Sequence, residues 1–333
     1  AGALTAPTTQ SDAARLLMQA TYGPTVATIN ALMSRGITGW IDDQRALPAA
    51  SALAALRADV IDYPPPPMPA IFGGVRFAWN ANLNAMWWKT AATAPDQLRQ
   101  RVAFALSEIF VIGQGTDLDF HTESRARYYD LLVGNAFGSF RQLLEDVTLS
   151  PAMGVWLSHI HNLKANPAKG TAPDENYARE VMQLFTIGLV QLQPDGSLLL
   201  DAAGQPIPTY SQATVSETAK LLTGWSWAAS AATITSESTF LSARTSSNYP
   251  AQLPDNSDLL VSMRYYDAFH DKTSKQLVSL QQVPLATAVP TALPGNQSGP
   301  QELSVLLDTL ANHPNTGPFI SRQLIQRLVT SNP

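Results

Sequence analysis

Apolar residues recur at three- and four-residue spacing over most of the chain, which predicts a mainly helical protein. Ala14, Leu17 and Met18 behind Ser11-Asp12 mark a first helix with a polar cap, stopped at Tyr22-Gly23-Pro24. Further helices are predicted over 26–34, with Gly36 as the stop, around Trp40 and Ile41, and over 51–60. Asp62 and Tyr63 then lead into four consecutive prolines, which fix φ and disfavour helix in the residue before each of them, so a Pro-rich linker is expected at 62–70. Helices follow at 79–90 and 96–111, the second striped by Leu98, Val102, Ala105, Leu106 and Ile109, and then at 124–133, 139–149 and 153–159.

The strongest amphipathic pattern covers 174–187. After it the period shortens: two apolar runs flank Pro194-Asp195-Gly196-Ser197, and a second turn sits at 202–205, so a small β-hairpin insertion is expected at 189–210. A helix at 211–223, a long aperiodic loop at 228–258, a strand at 263–269 and two closing helices at 301–312 and 317–329 complete the pattern. No solenoid-type repeat is visible. The expected organisation is a flexible segment at 1–10 followed by a single large α-helical domain over 11–333.

Composition narrows the chemistry. The chain has 333 residues, long enough to bury a sizeable core unaided, and no Cys, which removes disulfides, thiolate nucleophiles and Cys-ligated metals. A net charge of −5 without a long basic run argues against nucleic acid. Only 14% of residues are charged, against about 25% in ordinary soluble domains, so neutral polar residues and Pro replace charge on the surface. Ala1 opens a stretch with no apolar run, so a signal peptide is expected to have been removed already. No transmembrane segment, phosphate loop, nucleophile elbow or zinc-protease motif is present in the sequence, and neither a cofactor nor a metal is expected.

Wound at about 100° per residue, the helix at 174–187 gathers Asn176, Arg179, Glu180 and Gln183 into one sector. Glu175 and Arg179 can pair at i,i+4, and so can Asn176 and Glu180. A carboxylate held by an amide and a guanidinium on a rigid helix is how a general acid or base is positioned, although ordinary solvated helix pairs use the same residues. Glu108 interrupts an apolar helix and, if buried, needs a partner such as Arg101 or Arg125. Trp225 and Trp227 can serve as sugar-stacking platforms or as core packing. His270 beside Asp271 offers a candidate base, with Asp271 as a helix cap the simpler reading. His159 and His161 lack a third metal ligand, so a structural role is expected of them.

The string from Pro173 to Gly188, PDENYAREVMQLFTIG, resembles the NENYARELMELHTLG hallmark of the bacterial domain-of-unknown-function family eighteen hundred. Residues 13–17 and 20–24, Leu222 to Trp227, His270-Asp271 with Lys275, and His313-Pro314 through Phe319-Ile320 agree, so the resemblance spans nearly the whole chain. Gln183 and Phe185 stand where the hallmark has Glu and His, while Glu175, Asn176, Arg179 and Glu180 match it. The resemblance implies an exported bacterial protein, periplasmic or extracellular, often encoded beside a partner of a sulfatase-like family. It also implies a chain that usually continues past the equivalent of residues 331–333. It supplies no reaction.

Two functions from different classes remain open. In one, Glu175, Asn176, Arg179 and Glu180 perform carboxylate acid/base chemistry on an extracellular carbohydrate or other polymer, with Glu108, Arg125, Trp225, Trp227 and His270 binding substrate. In the other, the chain is a non-catalytic surface or assembly protein that binds a partner protein, and the polar cluster is a network fixing helix register.

Overall fold

A computed structural model describes residues 9–62, 80–114, 117–228, 234–242, 260–278 and 292–333. It is 58% helical, with fourteen α-helices and two small antiparallel sheets among the described residues. Three short helices open it: α1 (Gln10–Ala20), α2 (Val26–Arg35) and α3 (Ile37–Ala46). They enclose Leu17, Leu32 and Trp40 and rest on α6 (Gln97–Ser107). The cap of α1 is Thr9, two residues ahead of the expected Ser11, because its hydroxyl accepts from the Asp12 amide at 3.1 Å. Gly36, at φ 76°, ends α2 and begins α3 in a conformation that a β-carbon disfavours.

The helix α4 (Ala52–Asp62) packs on α5 (Asn80–Thr93) and α7 (Thr122–Asn135) around Leu56, Met86 and Ala126. Its first turn is capped from another helix: the Asp130 carboxylate accepts from Ser51 Oγ at 2.7 Å and from the Ala52 and Leu53 amides. The expected linker lies outside the described residues apart from Asp62, as does Trp79. The main core lies between α6, α7, α8 (Phe140–Leu149), α9 (Pro151–Trp156), α10 (Asn176–Gln183), α11 (Gln212–Leu221) and α13 (Gly299–Ala311), with α14 (Thr316–Leu328) against its edge. The remaining helix, α12 (Glu237–Ser242), falls inside the stretch read as loop, where Phe240 packs on Tyr266 and Phe269. The rest of that stretch, beyond Ala228 and residues 234–242, lies outside the description.

Two helices are shorter than their periodicity suggests. The α6 helix stops at Ser107, and the amides of Ile109 and Phe110 both return to the Leu106 carbonyl. The α10 helix stops at Gln183. Thr186 Oγ1 takes the Val181 carbonyl at 2.5 Å, and Gly188, at φ 68°, closes the turn against the Phe319 ring, where a β-carbon would come within 2.8 Å. The expected strand at 263–269 reduces to β2 (Arg264–Tyr265), paired with β1 (Trp225–Ser226), before a 3₁₀ turn at Asp267–Phe269. A second pair joins β3 (Lys275–Gln276) to β4 (Ala292–Leu293).

The insertion at 189–210 is more closed than a hairpin. Gln191 N donates to Ile207 O, Ile207 N to Leu199 O, and Leu199 N to Gln191 O, so each of three extended segments bonds both others. Gln193 to Ser197, Asp201 to Gln205 and Thr209 to Leu189 repeat the pattern one layer away. The spacing is eight residues, and Gly188, Gly196 and Gly204 each turn with positive φ at that interval.

Candidate functional site

Glu175 occupies the position before the first turn of α10, and its carboxylate turns toward α11. Oε1 accepts from Ser216 Oγ at 2.6 Å; Oε2 accepts from Gln212 Nε2 at 2.7 Å and from Arg179 Nη2 at 3.2 Å. The Ser216 hydroxyl foremost, then Gln212 and the Arg179 charge, hold this carboxyl below its ordinary range against a smaller burial effect. Arg179 Nη2 also donates to Gln212 Oε1 at 3.1 Å, so the guanidinium is clamped between the two helices.

Glu180, one and a half turns on, has the opposite environment. It is half-buried, its carboxyl makes no hydrogen bond among the described residues, and burial raises its pKa against the lowering effect of Arg179. Tyr210, returning from the eight-residue-period knob, lies in the same field: burial raises its hydroxyl, Arg179 opposes this and Glu180 adds to it. Its hydroxyl reaches Gln183 Oε1 at 3.4 Å. Asn176 does not reach Glu180. Its backbone amide takes Asp174 Oδ1 at 2.8 Å and its side-chain amide points to Ser158 Oγ at 3.3 Å, so the expected i,i+4 pair is replaced by contacts at the start of the helix. Phe185, where the hallmark has His, is buried against Phe110 and Tyr177.

The other candidate residues lie elsewhere. Glu108 ends α6 at the surface, its carboxylate 4.0 Å from Arg327 Nε, so it faces neither Arg101 nor Arg125. Trp225 and Trp227 are buried, the first against Tyr265 and the second edge-on to His161, and neither presents a ring face to solvent. Trp225 meets Tyr265 because the two are register partners in the antiparallel β1–β2 pair. Arg125 lines a separate cavity between α5, α6 and α7. Asp271 is not a helix cap: its Oδ1 accepts from the Thr273 amide at 2.8 Å and from its hydroxyl, an Asx turn that feeds β3.

His270 belongs to a fully buried cluster with Lys275 and Glu302. Lys275 Nζ donates to Glu302 Oε1 at 2.9 Å and lies 2.8 Å from Oε2, with the Asp271 and Thr273 carbonyls completing its shell at 2.7 and 3.0 Å. His270 Nδ1 lies 2.9 Å from the Thr223 carbonyl, and its Nε2 lies 3.2 Å from Glu302 Oε2 without the alignment of a hydrogen bond. This network ties the turn before β3 to α13. Glu302 was not singled out above, although it sits on the Leu303, Leu306, Leu307, Leu310 face of its helix; that is the signal applied to Glu108.

Among the described residues no three His, Asp or Glu side chains are placed to hold a metal ion. His159 and His313 are tied into the fold: His159 Nε2 lies 2.7 Å from the Thr148 carbonyl with its ring stacked on Tyr177, and His313 Nδ1 accepts from the Asn315 amide. Burial lowers His159, His161 and His313 each to about 4. The folded chain therefore holds them neutral, while the unfolded chain protonates them near pH 6.5. Their stabilisation is present above that value and is lost as the pH falls toward 4. Urea midpoints are expected to drop steeply over this window, and His159→Gln should blunt the drop; a flat profile would contradict it.

Over residues 15–333 the chain matches the family described as "Protein of unknown function (DUF1800)". Neither a curated protein nor a solved structure gives a significant match. Among the described residues no helix is long and apolar enough to cross a membrane.

Proposed function

The chain belongs to this family of proteins of unknown function, and from the polar face of α10 we propose that it is an exported, hydrolase-like enzyme acting on an extracellular carbohydrate or other polymer. The observation that carries this reading is the split between two carboxyls of one helix: Glu175 is kept ionised by three donors, whereas Glu180 is shifted toward its acid form. Two carboxyls whose environments push their pKa values apart are the arrangement that acid/base hydrolysis uses. Five residues of helix place the two about 7–8 Å apart along the axis and about 140° apart around it, so Glu175 turns to α11 while Glu180 stands on the opposite side of that clamp.

In this reading Glu180 gives its proton to the leaving oxygen as the bond to carbon breaks. Water adds its oxygen to that carbon and passes a proton to Glu175. Solvent exchange then restores both groups. Arg179, clamped by Glu175 and Gln212, acts as a positioning residue beside Glu180. The Arg179 and Glu175 side chains keep 38% and 33% of their exposure, so this face of α10 is open to solvent. An open surface suits an extended chain better than an enclosed small molecule.

Reducing-end or oligomer release from a broad polysaccharide panel, by the wild type and by Glu180→Gln with its melting temperature followed alongside, tests the reading. One observation favours the alternative, a non-catalytic role in binding a partner protein: Leu189, Leu198 and Leu200 on the knob are about half exposed. No release from any polymer by the folded wild type would favour that alternative.

A further inference from the structure

A cavity of about 210 Å³ lies between α5, α6 and α7, away from the α10 face. Met86, Trp87, Phe110 and Tyr129 give it aromatic and apolar walls, and Arg125 and Asn84 supply polar groups. A 150 Å³ apolar cavity holds a benzene ring, so about 210 Å³ leaves room for a ring and a short polar arm.

Arg125 departs from what packing alone requires. Its side chain is nine-tenths buried, yet among the described residues only Nη1 is hydrogen-bonded, to Asn80 Oδ1. The nearest carboxylate, Asp119, lies 3.6 Å away. Among the described residues Nε and Nη2 have no hydrogen-bond partner, and Arg125 is one of the residues lining the aromatic cavity. A guanidinium presents these donors as a planar fork that matches a carboxylate, and a desolvated cation with partial neutralisation gains from an incoming anion. Burial is also what lowers its proton affinity, with Asp119 opposing.

We propose that this cavity binds a small aromatic carboxylate, its ring against Trp87 and Tyr129 and its carboxylate on the open edge of Arg125. The inference is independent of the acid/base reading of α10. Its test is direct titration of the full chain with phenylacetate, benzoate and the neutral isostere phenylacetamide, followed by calorimetry and by tryptophan fluorescence, since Trp87 lines the wall. The acids are expected to bind about tenfold or more tighter than the amide. Arg125→Gln should reduce the acids to the level of the amide. Met86→Trp, which fills the cavity, should abolish binding of all three. Equal binding of acid and amide by the wild type overturns the proposal whether or not the Arg125 variant folds. So does the absence of saturation by either acid up to about 10 mM.

Discussion

Replacing Glu302 by alanine is expected to lower folding stability by about 3–5 kcal/mol, because it strands a buried ammonium. Lys275 and Glu302 are both fully excluded from solvent, with Nζ 2.9 Å from Oε1. Once the carboxylate is gone, Nζ keeps the two carbonyls of Asp271 and Thr273, which satisfy hydrogen bonds but not charge. His270 Nε2 loses its neighbour as well. The loss is a penalty for an unpaired charge rather than the net worth of the pair, so the double variant Lys275→Met, Glu302→Leu should recover most of it. Denaturant unfolding of the three proteins measures this. A Glu302→Ala protein within about 1 kcal/mol of wild type would show that the cluster is not held as a charge network.

Glu180→Gln is expected to reduce polymer release by about 10²–10⁴-fold while leaving the fold intact, since the substitution keeps the shape and removes only the proton donor. The half-buried carboxyl makes no hydrogen bond that glutamine would break. Glu175→Gln should also lower the rate, by removing the base and freeing Arg179, but with a stability change under about 1 kcal/mol because its ion pair is partly exposed. The rate should be bell-shaped in pH. It falls on the acid side as Glu175, held low by Ser216, Gln212 and Arg179, takes up a proton. It falls on the alkaline side as Glu180, held high by burial, loses its own. Loss of release accompanied by loss of the folded state would instead make this face architecture.

The helices were legible because their stripes are regular and some stops chemical, as with Gly36 after α2; α9 instead begins at Pro151, two residues before the expected 153, and ends at Trp156. Ends set by tertiary partners were not. Nothing local announces that Asp130 caps α4 from another helix, or that Thr186 and Gly188 close α10 off within a turn of Glu180, at Gln183. The same division runs through the candidate site. The polar sector of α10 follows from its spacing, but the clamp on Glu175 comes from Gln212 and Ser216, more than thirty residues away. Asn176 was misassigned because helix geometry permits a pair that Ser158 and Asp174 outcompete. The knob was readable in part: an Asp-Gly turn gave one hairpin, while the eight-residue interval of Gly188, Gly196 and Gly204 carried its three-way closure.

Acid/base chemistry on α10 requires Glu175 and Glu180 to titrate apart. Carbon-detected NMR titration of the two side-chain carboxyls in the intact chain measures this directly, with Glu180→Gln and Glu175→Gln assigning the signals. Glu180 is expected to titrate above the ordinary glutamate value near 4.5 and Glu175 below it. Coincident titrations, or the reverse order, would contradict the acid/base reading of α10.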